Sequence, residues 1–231
     1  MLRPCLLALL VVALVGCTPS LPVEDSSKWP PAEQALASAV TAMGKLKSLR
    51  EQFSTRTTRD DEPYLSVEVE RAYVAPDRRY EKVNGRSLAE TVAGETVYVG
   101  TRFFRRAGES GWQELTGMES FVWPSNEYTF TGIRNVAYEG PGEADGRTAR
   151  IVRFSHEGSV EAKNSGWQFE TRLWLDPQSG YFLRRETRGV REDLDLVNRR
   201  TIVLRHEGTW TYQSHNGSIA VTEPAIAPAG E

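Results

Sequence analysis

Residues 65–85 read LSVEVERAYVAPDRRYEKVNG. Leu65, Val67 and Val69 alternate with Ser66, Glu68 and Glu70. That period of two puts the apolar side chains on one face of a half-buried strand. Pro76-Asp77 makes a turn, and Arg79 to Val83 forms a second strand, which the pair Asn84-Gly85 is expected to end. The pattern continues along the chain. Thr96 to Arg106 reads as a third strand, and Gly108 to Gly111 turns it into Trp112–Leu115. Ala149–His156 and Trp167–Asp176 follow, then the turn Pro177–Gly180, which Asp176 caps, and the strand Tyr181–Arg188. Thr201–His206 and Thr209–Gln213 finish the series, for seven to nine strands. Consecutive strands with short turns imply an antiparallel sheet.

One helix precedes the strands. Ala32 to about Phe53 carries Leu36, Val40, Met43, Leu46, Leu49 and Phe53 at helical spacing, with Pro31 at its start. The fold class is therefore α+β, mainly antiparallel β, with an N-terminal helix against the sheet. Residues 115–140 lack clean alternation but hold Phe121, Trp123, Tyr128, Phe130 and Tyr138. They read as a short helix and loop over the sheet, either a functional segment or a buried loop.

The first residues decide the compartment. Cys5 to Val15 is wholly apolar, which suits a signal-peptide core and is too short for a membrane-spanning helix. Leu14-Val15-Gly16-Cys17 matches the lipobox of bacterial lipoproteins. The alternatives are an ordinary secretory signal with a chance cysteine, or a core helix. The chain has two cysteines, and Cys5 leaves with a signal of residues 1–16. Cys17 would then be the first residue of the mature chain, carrying acyl chains such as palmitate, and no intrachain disulfide could form. Residues 17–31 read as lipidated cysteine and tether, 32–222 as one domain, and 223–231 as a flexible tail. The expected location is the bacterial cell envelope, outside the cytoplasm. In a Gram-negative host, Thr18 after the cysteine favours the outer membrane, facing the periplasm.

Charge excludes one class of partner. The 231 residues carry a formal net charge of −3 and no basic arm, so nucleic acid is not expected. The doublets Arg78-Arg79, Arg105-Arg106, Arg184-Arg185 and Arg199-Arg200 are scattered, and read as solvated strand edges rather than an anion-binding face. His156, His206 and His215 lack metal-ligand spacing. There is no nucleophile elbow and no phosphate loop. No catalytic residue, metal or cofactor is assigned, and the protein is not expected to be an enzyme.

Several segments resemble the LolA/LolB-like lipoprotein-carrier superfamily, including the LppX/LprG lipid-binding lipoproteins. They are ALASAVTAMGKLKSLREQFS (35–54), VEVERAYVAPDRRYEKVNG (67–85), ETVYVGTRFFRRAGESGWQEL (95–115), TRLWLDPQSGYFLRRE (171–186) and TWTYQSHNGSIAVTEP (209–224). The likeness runs from about Ala32 to Pro224. It implies a curved, half-barrel antiparallel sheet closed on one side by helices, with an apolar cavity for acyl chains. The expected function is a membrane-anchored lipoprotein that binds an acylated lipid or lipoprotein. The alternative is an envelope sensor or assembly partner with the same fold and no cargo. A hydrolase acting on envelope material is a third, weaker reading. Leu65, Val67, Val69, Phe169, Leu173 and Leu175 are the candidate cavity wall. Trp123 and Phe130 would come from a lid, and Cys17 is the lipidation site.

Overall fold

The computed structural model describes residues 25–88, 90–117, 128–158 and 166–226. Cys17 and Trp123 lie outside them. Helix α1 spans Ala32–Gly44. Its alanines allow close approach, and Ala32, Leu36, Ala39 and Met43 form the buried stripe. Eleven strands follow: β1 (Ser48–Arg59), β2 (Glu62–Val74), β3 (Arg78–Ser87), β4 (Thr91–Val99), β5 (Arg102–Ala107), β6 (Gln113–Leu115), β7 (Arg134–Ala144), β8 (Arg147–His156), β9 (Gln168–Leu175), β10 (Phe182–Asp195) and β11 (Arg200–Gln213).

All pair antiparallel in one sheet of order β6-β5-β4-β3-β2-β1-β11-β10-β9-β8-β7. The expected α+β class and half-barrel sheet are what the structure has. Among the described residues no ladder joins β6 to β7, so the sheet stays open. From β1 the chain meanders to the β6 edge; the next strand in sequence, β7, forms the other edge, and from it the chain meanders back to the middle. There β11 pairs with β1, from Arg50↔Gln213 to Arg59↔Leu204.

Turn chemistry fixes the hairpins. Asp60-Asp61 and Asp145-Gly146 take left-handed φ at both central positions, the geometry that matches strand twist. Asp176 Oδ1 accepts from the N–H groups of Gln178 and Ser179 at 2.8 and 2.9 Å, so it caps its turn as expected.

Four expectations change. The helix ends at Gly44, not near Phe53. Leu49 and Phe53 are four residues apart, a spacing that serves a helix or one face of a strand, and here they belong to β1. Asn84-Gly85 makes no turn: it lies inside β3, opposite Glu68 and Val67, and the chain turns at Ser87–Glu90 instead. Arg134–Ala144, taken in part as irregular, is strand β7. The two final strands are one, with Gly208 inside the ladder.

The sheet has two dissimilar faces. We call inner the face that α1 covers. There Leu36, Met43, Leu49, Tyr73, Leu173 and Phe182 join a buried cluster, and the Phe182 N–H donates to Met43 Sδ at 3.4 Å. On the outer face a smaller cluster forms around Ala72, Val97 and Phe104. The extended C-terminal segment supplies Val221 to it. Arg78 donates to the Val221 carbonyl, and Glu223 pairs with Arg102, so the segment is pinned as far as Glu223, the first residue of the expected tail.

Candidate functional site

Strand parity brings distant residues to one place on the inner face. Cross-strand partners point the same way. Phe53 of β1 faces Trp210 of β11, Trp210 faces Arg185 of β10, and Phe169 of β9 faces both Gly189 and His156. Helix α1 covers only the Leu49–Tyr73–Phe182 end of this face. Beyond it lies a cleft of about 300 Å³, bounded on one side by Tyr128 and Phe130, which lie between β6 and β7 in the chain.

The walls are aromatic. Phe53 stacks on Trp210 with centroids 5.7 Å apart, and Phe169 stacks between His156 (5.2 Å) and Trp167 (5.5 Å). His206 meets Phe169 edge-on at 6.0 Å. Guanidinium groups cap the rings. Arg71 lies over Phe53 at 4.7 Å, Arg185 over Trp210 at 3.7 Å and Arg191 over Trp167 at 5.4 Å. Such contacts suit Arg because its planar, weakly hydrated cation stacks on ring faces.

A buried ionic group borders the rings. Glu51 is 2% exposed and pairs with Arg71 at 3.2 Å. Arg71 also holds Glu81, which Arg79 shares. Burial alone would raise the Glu81 carboxyl, but the two arginines outweigh it and hold it below the ordinary carboxylate range. His156 is 5% exposed. Burial first, and the Arg185 charge second, push its pKa down to about 4. The same two causes lower His206. Both rings are therefore neutral at neutral pH. Among the described residues no group of His, Cys, Asp or Glu is placed to hold a metal ion.

Two glycines let the rings lie flat. A Cβ on Gly208 would stand 2.4 Å from Trp210 Cη2, and one on Gly189 would stand 2.5 Å from Phe169. Gly208→Ala is thus expected to swing the indole off Phe53 and Arg185, at a cost of about 1–3 kcal/mol. Tryptophan emission together with urea denaturation checks this. Unchanged emission and an unchanged midpoint would show that the ring does not rest on that backbone.

The candidate wall residues scatter. Phe130 and Phe169 line the cleft. Leu173 and Leu175 are sealed in the cluster beneath α1. Val69 is buried directly across from Phe53, and Val67 is half-buried. Leu65 is 38% exposed at the far rim, beside Leu88. Arg185, Thr187, His156, His206, Phe53 and Trp210 were not among the candidates. The doublets are not simply solvated edges either: Arg79 is 18% exposed and ion-paired, and Arg185 is half-buried over a ring.

No protein-family model and no curated protein sequence matches the chain. Among solved structures it is similar to LprF from Mycobacterium bovis, with 13% identity and a TM-score of 0.55 over 85% of this chain and 100% of that one. Mycobacterium tuberculosis lipoprotein LppX shares 13% identity, with a TM-score of 0.48 over 83% and 98%. A LolA superfamily protein from Nitrosomonas europaea shares 12%, with a TM-score of 0.32 over 84% and 99%. At such identities the likeness concerns the fold, and LprF carries it. This open antiparallel sheet, with one N-terminal helix on its inner face, has the fold of LprF.

Proposed function

We propose that the chain is a lipid-anchored, non-enzymatic lipoprotein of the bacterial cell envelope whose domain takes up a hydrophobic, acylated molecule. The observation that carries this is the ring-walled cleft, on the part of the inner face that α1 leaves uncovered. Its volume of about 300 Å³ is at the lower end of ligand sites, which run from about 300 to 1,000 Å³. It fits one acyl chain better than several. Each methylene that leaves water for the rings contributes about 0.8 kcal/mol, so binding needs no covalent step.

The anchor rests on Leu14-Val15-Gly16-Cys17. Cleavage before Cys17 and acylation of its thiol would hold the domain at the membrane through the tether that follows. No helix among the described residues is long and apolar enough to cross a membrane.

Two measurements test the reading separately. Labelled palmitate is expected to enter the wild-type protein and not Cys17→Ser, and Cys17→Ser should leave the membrane fraction. An unlabelled wild type would overturn the anchor. Native mass spectrometry of the gently purified domain should show bound lipid, and fluorescent fatty acids should compete for the cleft. A domain that is empty and binds neither fatty acids nor phospholipids would overturn the cargo. That result would favour an assembly partner or sensor, for which the self-filled half of the inner face beneath α1 already speaks.

A further inference from the structure

Arg185 and Thr187 stand two residues apart on β10, so both point into the cleft. Arg185 differs from the arginines around it. Arg71 holds Glu51 and Glu81, Arg79 holds Glu81, Arg59 holds Asp195 and Arg191 holds Asp193. Among the described residues no carboxylate lies within ion-pair distance of Arg185. Its contact is with the Trp210 ring at 3.7 Å. Stacking uses the flat of the guanidinium and leaves its N–H edge free for a planar or tetrahedral oxyanion. Its Nε is buried with no hydrogen-bond partner. A half-buried cation left this way is costly unless something supplies the opposite charge.

Thr187 is made a donor by a one-way relay. The Gly158 N–H donates to His156 Nδ1 at 3.0 Å, closer than the Gly158 carbonyl at 3.4 Å. The ring proton is therefore assigned to Nε2, which donates to Thr171 Oγ1 at 2.9 Å. Thr171 then gives its own proton to Thr187 Oγ1, 2.8 Å away. The Thr187 hydroxyl accepts within the protein, so its own hydrogen is left to donate elsewhere, and Thr187 lines the cleft. The nearest acidic side chain on the cleft wall, Glu51, is already held by Arg71.

We infer that Arg185 and Thr187 form an oxyanion seat in the cleft, so that its ligand is a single-chain amphiphile with an acidic head, its chain lying along Phe53, Phe169 and Trp210. This rests on the cargo-binding function proposed above and names its ligand class. The head is a carboxylate or a phosphate. The neutrality of His156 and His206, which Arg185 helps to enforce, fits a cleft in which one cation is uncompensated.

The experiment compares palmitic acid, the alcohol of the same chain length and the phosphate monoester of that alcohol. Each is titrated into the wild-type domain, Arg185→Met and Thr187→Val. Wild type should favour an acidic ligand over the alcohol by about 10- to 100-fold, the worth of a hydrogen-bonded charge. Arg185→Met should erase that preference and bind acid and alcohol alike, whereas a variant that still prefers the acid would overturn the seat. Thr187→Val should lose part of the preference, and whichever acid binds tighter identifies the head. Equal binding of acid and alcohol by wild type would overturn the seat and leave the cargo function standing. No binding of any of the three would overturn the cargo function itself. Inorganic phosphate or acetate binding as tightly as the chain-bearing acids would overturn the amphiphile and point to a plain anion site.

Discussion

Arg71→Met is expected to lower the stability of the domain by about 3–5 kcal/mol, the cost of stranding a buried charge. Arg71 pairs with Glu51 at 3.2 Å, and Glu51 is 2% exposed. Methionine keeps most of the packing of the stem against Phe53 but removes the charge. Glu81 retains Arg79, so the loss falls mainly on Glu51. Urea denaturation at neutral pH measures the loss. Adding Glu51→Gln to Arg71→Met should recover most of it, because a neutral amide costs far less to bury, and the two changes are coupled by contact. A loss below about 1 kcal/mol, in the range of a surface pair, would show that Glu51 is held by other groups.

Acidification from pH 7 to about 4.5 is expected to remove about 3 kcal/mol of stability, most of it through His156. In the unfolded chain this ring takes up a proton near its ordinary value of 6.5; in the folded protein it does so only at about 4. Between those values the unfolded state holds the extra proton, so its population gains as pH falls. Above 6.5 both states are neutral and the penalty is absent. His206 and His215 are lowered too, first by burial, and act with the same sign. Glu81, Asp176 and Asp195 are lowered carboxylates whose contribution is lost below this window. Urea midpoints across the range test the expectation, with His156→Gln as the control that should flatten the curve. A midpoint constant down to pH 4.5 would refute it.

The fold was largely legible because its strands alternate on both sides of the sheet. Val67–Glu68–Val69–Glu70 and the Asp176–Gly180 turn read correctly from local chemistry alone. The misreadings share one cause: a local signal was outvoted by neighbours far away in the chain. Residues 48–53 satisfy a helix by spacing, but β1 lies between β2 and β11 and is claimed by two ladders. Asn84-Gly85 is a good turn pair, yet its ladder partners on β2 and β4 continue past it. Gly208 looked like a break, and it is a flat seat for Trp210.

The site was less visible. Its strand members come from β1, β2, β8, β9, β10 and β11 and meet only once the register between those strands is set. A usable signal was present in RRETRG at residues 184–189, where Arg185, Thr187 and Gly189 share one parity. The glycines facing rings were a second signal, since an aromatic residue across from a strand glycine marks a face with room above it. The candidate leucines failed as markers because apolar strand positions near α1 are core, while the open part of the face is built from rings and arginines.

The middle of the sheet is made from the two ends of the chain. β1 is among the first segments of the domain to be synthesised and β11 is the last strand. Until residues 200–213 exist, β1 has a bare edge along its whole length and the inner face has no centre. Pairing between such distant segments is slow because the loop must close before any contact rewards it. Under the export proposed above, late pairing of β11 would keep the polypeptide incompletely folded while it is being made, the state in which it can be threaded across a membrane, and the final strand would close the sheet on the far side.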